Sequence, residues 1–195
     1  MNAMKCTKAN PFDECPVYET ESFLYTRVSE EDAEDLFVCY SDPVTLQHMN
    51  NDNCGGAWRP ASPDELRYAW QKDYERRTFL RWSIKDKTTH RAVGTIEIAP
   101  LPWGRWFFGD VPPIGILRID LLSSFEKQAY FSEIIRLLAT EVAGNFEVTT
   151  VILKAPPDEP ERIAALVQNH FRPDVDRTID FDHYYIRKNP IASET

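Results

Sequence analysis

Apolar positions along the chain switch between a period of two and a period near 3.6, which predicts alternating strands and helices. Residues 22–28, "SFLYTRV", read as a short strand. Ser29 with Asp32 three residues later makes a capping-box pattern, and Ala33, Leu36, Phe37 and Tyr40 share one face of the helix that follows. "SDP" at 41–43 ends that helix, because the residue before a proline is pushed out of helical geometry. Past a loop at 50–60, a second helix starts at Ser62, with Pro63 in its first position and Glu65 closing the box. Leu66, Ala69, Trp70 and Tyr74 form its buried stripe.

The next run, "FLRWSIKD" (79–86), alternates with Leu80, Trp82 and Ile84 inward. "KTTH" turns the chain and "RAVGTIEIA" (91–99) returns it, giving a hairpin. "IGILRIDLL" (114–122) is the most apolar strand and is expected at the centre of the sheet. Phe131, Ile134, Ile135, Leu138 and Val142 mark the helix after it, with Gly144 as a left-handed stop. "VTTVILKA" (148–155) is a further strand, so this strand, helix and strand make one right-handed parallel crossover. A capped helix with Ile163, Leu166 and Val167 inward and a last strand, "TIDFDHYYIRK" (178–188), complete the order β-α-α-β-β-β-α-β-α-β. That order predicts the α/β class: a mixed, mostly antiparallel sheet with one parallel crossover and helices on both faces.

A chain of 195 residues suggests one domain with tails. We expect an N-terminal arm at 1–21, which has no clear period, a globular part at 22–188 and a tail at 189–195. Hydrophobic content of 43% is ample for a core. The net charge of -9, with no stripe of Lys and Arg, argues against nucleic acid or an anionic membrane as partner. It would suit a cationic partner such as an amine, although most acidic proteins are merely soluble. No apolar run is long enough to span a bilayer, and the first sixteen residues lack the apolar core of a secretory signal, so the cytoplasm is the default expectation.

Cys6, Cys15, Cys39 and Cys54 are scattered without C-x-x-C spacing, which suggests neither a zinc site nor a disulfide framework. Cys54 lies in a turn-rich loop with no basic partner nearby, so it reads as a bystander thiol. His48, His90 and His183 are isolated in sequence. Asp180 and Asp182 share a strand face that His183 does not, and no metal is expected. The run "PLPWGRWFFGDVPP" (100–113) is unusually apolar for a loop. It reads as a lid, as a subunit contact of a homodimer, or as rings folded back on the core.

Glu97 and Asp120 interrupt apolar strands. A partly buried carboxylate has a raised pKa and can serve as a base near neutrality; the alternative is an edge-facing, solvated acid. Arg118 shares a strand face with Asp120 and could pair with it. Tyr184 and Tyr185 point to opposite faces, so at most one reaches a cleft.

The element order, with the phrases "FLYTRVSEEDAEDLFVCYSDP", "WSIKDKTTHRAVGTIEI" and "IDLLSSFEKQAYFSEIIRLL", resembles the GNAT superfamily of N-acyltransferases, in its branch of ribosomal-protein N-terminal acetyltransferases. The likeness covers 22–188 and places Gly94 and Glu133 at positions where the family often has glycine and an acidic residue. It implies an enzyme moving an acetyl group from acetyl-coenzyme A to a primary amine of a peptide N-terminus or small molecule. The alternative is a catalytically inactive binding or regulatory protein on the same fold.

The resemblance also implies site residues. Leu121 and Leu122 would end the strand whose backbone faces the thioester, with Asp120 and Glu97 as candidate bases. Glu126, Lys127, Gln128, Ala129, Tyr130 and Phe131 would form the pyrophosphate loop at a helix start, where unpaired amides and the positive helix end attract anions. In the family this loop reads Arg/Gln-x-x-Gly-x-Gly/Ala. Here Glu126, Ala129 and Phe131 replace its basic residue and its two small ones. A coenzyme-contacting Asn falls near Glu159, a small residue near Arg162, and the family's general-acid tyrosine near Leu166.

Overall fold

The computed structural model describes residues 10–49, 60–101, 114–146 and 148–189. The 50–59 loop, the aromatic run at 102–113, Cys6, Cys54 and the tail from 190 lie outside the described residues. Among the described residues eight strands form one sheet: β1 Tyr18–Glu19, β2 Phe23–Arg27, β3 Leu80–Asp86, β4 Ala92–Leu101, β5 Ile114–Leu121, β6 Thr150–Lys154, β7 Arg172–Pro173 and β8 Tyr184–Lys188. Their order is β1-β2-β3-β4-β5-β6-β8-β7. Only β5 and β6 pair in parallel, as the single crossover requires, and β5 lies inside the sheet.

Among the described residues six α-helices flank the sheet: α1 Ala33–Cys39, α2 Pro43–His48, α3 Pro63–Glu75, α4 Gln128–Leu137, α5 Ala143–Asn145 and α6 Pro160–Gln168. The larger core joins Leu80, Trp82 and Ile84 of β3 to Phe131, Ile134 and Ile135 of α4 and to Leu166 of α6. A second cluster on the other face joins Leu36 and Tyr40 to Leu66 and Trp70. The alternation of β3 explains this division, since its intervening Ser83 bonds Asp32, at the start of the α1 region.

Several local expectations need correction. "SDP" is a start as well as a stop: Asp42 caps α2 by accepting from the Val44 and Thr45 amides, with Pro43 in the first turn. The expected arm is described from Asn10 on, and there it packs down. Phe12 and Tyr18 are buried, and Trp82 donates its indole N–H to the Pro16 carbonyl at 2.8 Å.

Gly144 is not a left-handed stop but lies within α5, beyond a π-helical turn at Leu138–Val142. Val167 is exposed; Arg162, Ala165 and Leu166 are the buried positions of α6. Only the second half of "TIDFDHYYIRK" is strand. Before it, Arg177 pairs with Asp180 and Asp182 across a bent segment.

Candidate functional site

Strand β5 approaches β4 so closely that a Cβ on Gly94 would lie 2.2 Å from the Asp120 carbonyl oxygen. On its other side β5 pairs with β6 only through Gly115↔Val151, Ile116↔Ile152 and Leu117↔Leu153. From Arg118 to Leu121, β5 has no partner in β6, so the ladder between them ends and leaves the rest of β5 unpaired on this side, the β5–β6 gap. The chain then passes a 3-10 turn at Ser123–Phe125 and enters α4. This is the strand-to-helix corner that the sequence singles out.

Asp120 is buried at the outer end of β5. The Tyr40 hydroxyl donates to its Oδ2 at 2.9 Å and lies 2.9 Å from the Thr95 hydroxyl. Burial holds the Tyr40 phenol well above its ordinary range, so it stays protonated and can donate. Asp120 Oδ1 is buried and has no hydrogen-bond partner among the described residues. Arg118 does not pair with Asp120; it reaches across to Glu97, its register partner on β4, at 3.2 Å.

Glu97 also pairs with Arg81, whose guanidinium lies over the Trp70 ring. Burial pushes the Glu97 carboxyl upward, but the two guanidiniums outweigh it and hold the group below the usual range. The raised pKa expected of a base is therefore not found at Glu97: it is a clamped anion joining β3, β4 and β5.

At the corner, the amides of Leu122, Ser123, Phe125, Glu126, Lys127 and Gln128 all donate within the chain. Ser123 donates to the Thr45 hydroxyl at 3.0 Å, and Gln128, the first residue of α4, to Glu161 Oε2 at 3.0 Å. The positive end of α4 thus already has a carboxylate on it, supplied by α6.

Side chains add to the closure. Glu126 Oε2 lies 2.7 Å from His48 Nδ1, a partnership that joins the last residue of α2 to the corner and that sequence spacing could not reveal. Phe125 stacks on Tyr130, and Phe23 packs against both rings. Phe131 is buried in the main core, and Lys127 lies over the Tyr130 ring. Ala129 and Tyr130 line a shallow groove with Glu21 and Glu133; Arg136 is the cation there.

Leu121 faces the main core, while the Leu122 amide bonds the Val93 carbonyl. Leu166, where a family tyrosine would fall, is fully buried. Among the described residues no group of His, Cys, Asp and Glu has the arrangement of a metal site, and no helix is long and apolar enough to cross a membrane. Cys15 and Cys39 are free thiols, both with pKa values raised by burial, Cys15 to about 11.

The acetyl-coenzyme A implied by the resemblance would need free amides and positive charge at this corner. The donor set is mixed: six amides around the corner are satisfied internally and Glu126 and Glu161 add carboxylates there, while the amides of Ala129 and Tyr130, in the first turn of α4, meet no acceptor among the described residues.

The profile of a family described as an acetyltransferase (GNAT) domain matches residues 23–172. An uncharacterized N-acetyltransferase from Bacillus subtilis, YoaA, is 23% identical over 112 residues, covering 49% of this chain and 62% of that protein. The chain thus spans less than two thirds of this curated relative.

Among solved structures, a GNAT-family acetyltransferase from Bacillus anthracis superposes with a TM-score of 0.63 at 13% identity, covering 89% of this chain and 98% of that one. A ribosomal-protein alpha-N-acetyltransferase, RimL, in complex with coenzyme A gives 0.64 at 16% identity, with 89% and 98% covered. A spermidine N-acetyltransferase from Vibrio cholerae in complex with coenzyme A and spermine gives 0.62 at 9% identity, with 86% and 93% covered. Likeness at these identities establishes the fold.

Proposed function

This chain belongs to the GNAT acetyltransferase family, and from that premise we propose that it is a non-catalytic member, a binding or regulatory protein that keeps the scaffold without the transfer reaction. The observation that carries the reading is the Glu161 carboxylate on the Gln128 amide, at the helix start where an anionic cofactor would have to sit. Its proposed partner is an amine, a small molecule or a peptide N-terminus. The net charge of -9 and the unpartnered buried oxygen of Asp120 support a cationic ligand. Solved relatives that act on spermidine and on a protein N-terminus support the same class.

A second reading is favoured by family membership together with Asp120. In it the chain is an N-acyltransferase moving acetyl from acetyl-coenzyme A to a primary amine, and the free Oδ1 of Asp120 takes the amine proton. Glu97 has no part in it, because its carboxylate is held by two arginines.

Melting the protein with millimolar coenzyme A and, separately, with a polyamine distinguishes the two. Ligand at a hundred times its dissociation constant would add about 2.7 kcal/mol. The non-catalytic reading expects a shift with the amine, lost in Asp120→Asn, and none with the coenzyme. Acetyl transfer to any amine, followed by mass spectrometry, would sink it.

A further inference from the structure

The part of β5 that β6 leaves unpaired is met by a side chain of this protein. Arg162, in the first turn of α6, is 2% exposed although it carries a full charge. Its Nη1 donates to the Ile119 carbonyl at 3.2 Å, on the part of β5 that β6 has left unpaired. Its guanidinium lies 4.8 Å from the centroid of the Phe131 ring of α4. Its Nε is 2.5 Å from Glu159 Oε2, an ion-pair contact without hydrogen-bond alignment. One side chain therefore satisfies a strand carbonyl, covers a helix ring and meets a buried acid.

We propose that Arg162 is the permanent internal occupant of the β5–β6 gap, a ligand supplied by the chain itself, and that coenzyme A is excluded from this protein. The proposal extends the non-catalytic reading and rests on it for its meaning, but its support comes from different atoms: the gap, not the helix start. A buried guanidinium bound on three sides leaves only by exposing the Ile119 carbonyl and stranding Glu159. The resemblance places a small residue at 162 and an asparagine at 159. Here those positions hold a buried acid and a guanidinium in contact across the first turn of α6. Glu161 caps α4 from the same turn, so residues 159, 161 and 162 act together on the unpaired stretch of β5 and on the start of α4.

The test is hydrogen exchange on the full chain and on Arg162→Gly, each with and without millimolar coenzyme A or ethylguanidinium. Coenzyme A should leave exchange of the full chain unchanged at 119–131. Arg162→Gly should exchange faster at 119–131 and 160–168, and ethylguanidinium should restore protection in the variant alone. Protection of the full chain by coenzyme A would overturn the proposal, as would a variant that exchanges like its parent. Should Arg162→Gly fail to fold, Arg162→Lys is read in the same way, since an ammonium cannot reproduce the planar contacts. Acetyl transfer without coenzyme protection at 119–131 would remove the non-catalytic reading and leave the Arg162 assignment intact.

Discussion

The carboxylate of Glu161 accepts a hydrogen bond from the backbone amide of Gln128 at 3.0 Å, so α6 supplies the N-terminal anion of α4. The residue before the helix, Lys127, offers no capping side chain, which makes this distant carboxylate the cap. Glu161→Ala should cost about 0.5–1 kcal/mol, the usual worth of a charge at an exposed helix start, read as a lower urea midpoint with an unchanged slope.

Glu97 predicts a larger loss. Replacing it by Ala removes the buried carboxylate that Arg81 and Arg118 share, and breaking a buried pair in this way costs about 3–5 kcal/mol. Its folded pKa lies below the ordinary 4.5, so its ionised form stabilises the fold above that value. The contribution disappears as pH falls through the folded pKa. Urea titrations at neutral pH and in acid should therefore separate parent from Glu97→Ala strongly in the first and weakly in the second.

Glu159 predicts the opposite slope. Burial lifts its carboxyl to about 7, against the pull of Arg162 and His48. Between about pH 4.5 and 7 the folded chain keeps a proton that the unfolded chain has released, so this group's contribution is full in mild acid and is lost as pH rises through 7. Melting temperatures across that range should slope downward for the parent, and Glu159→Gln should flatten the slope. An unchanged slope in the variant would contradict the assignment.

Gly94→Ala tests the β4–β5 contact. The added methyl would overlap the Asp120 carbonyl oxygen at 2.2 Å, and neither backbone can yield cheaply. Forced overpacking of this kind costs about 1–3 kcal/mol or more. The expected result is a clear fall in melting temperature, with chemical-shift changes centred on 94 and 120–122.

The strands and helices that show a sustained period were legible in the sequence, and so was the meander leading into one parallel crossover. The elements that escaped are those too short to show a period: the two-residue strands β1 and β7, and α2, hidden behind an Asp-Pro that reads as a terminator. At the site, the residues that depart from the family pattern were visible one by one. Their partners were not, because each pairing spans a long stretch of chain: Glu161 with Gln128, His48 with Glu126, Arg162 with Ile119. Glu97 reads locally as an odd acid in a strand, and only the register of β4 against β5 and β3 shows what neutralises it.

The three-rung junction between β5 and β6 bears on how such a protein answers to its surroundings. A fold whose central seam is completed by a soluble metabolite grows firmer when that metabolite is plentiful and softer when it is scarce. Here the seam is closed by Arg162, encoded in the chain and present in every copy at fixed stoichiometry. Its resistance to unfolding and to proteolysis should stay level as cellular coenzyme A rises and falls.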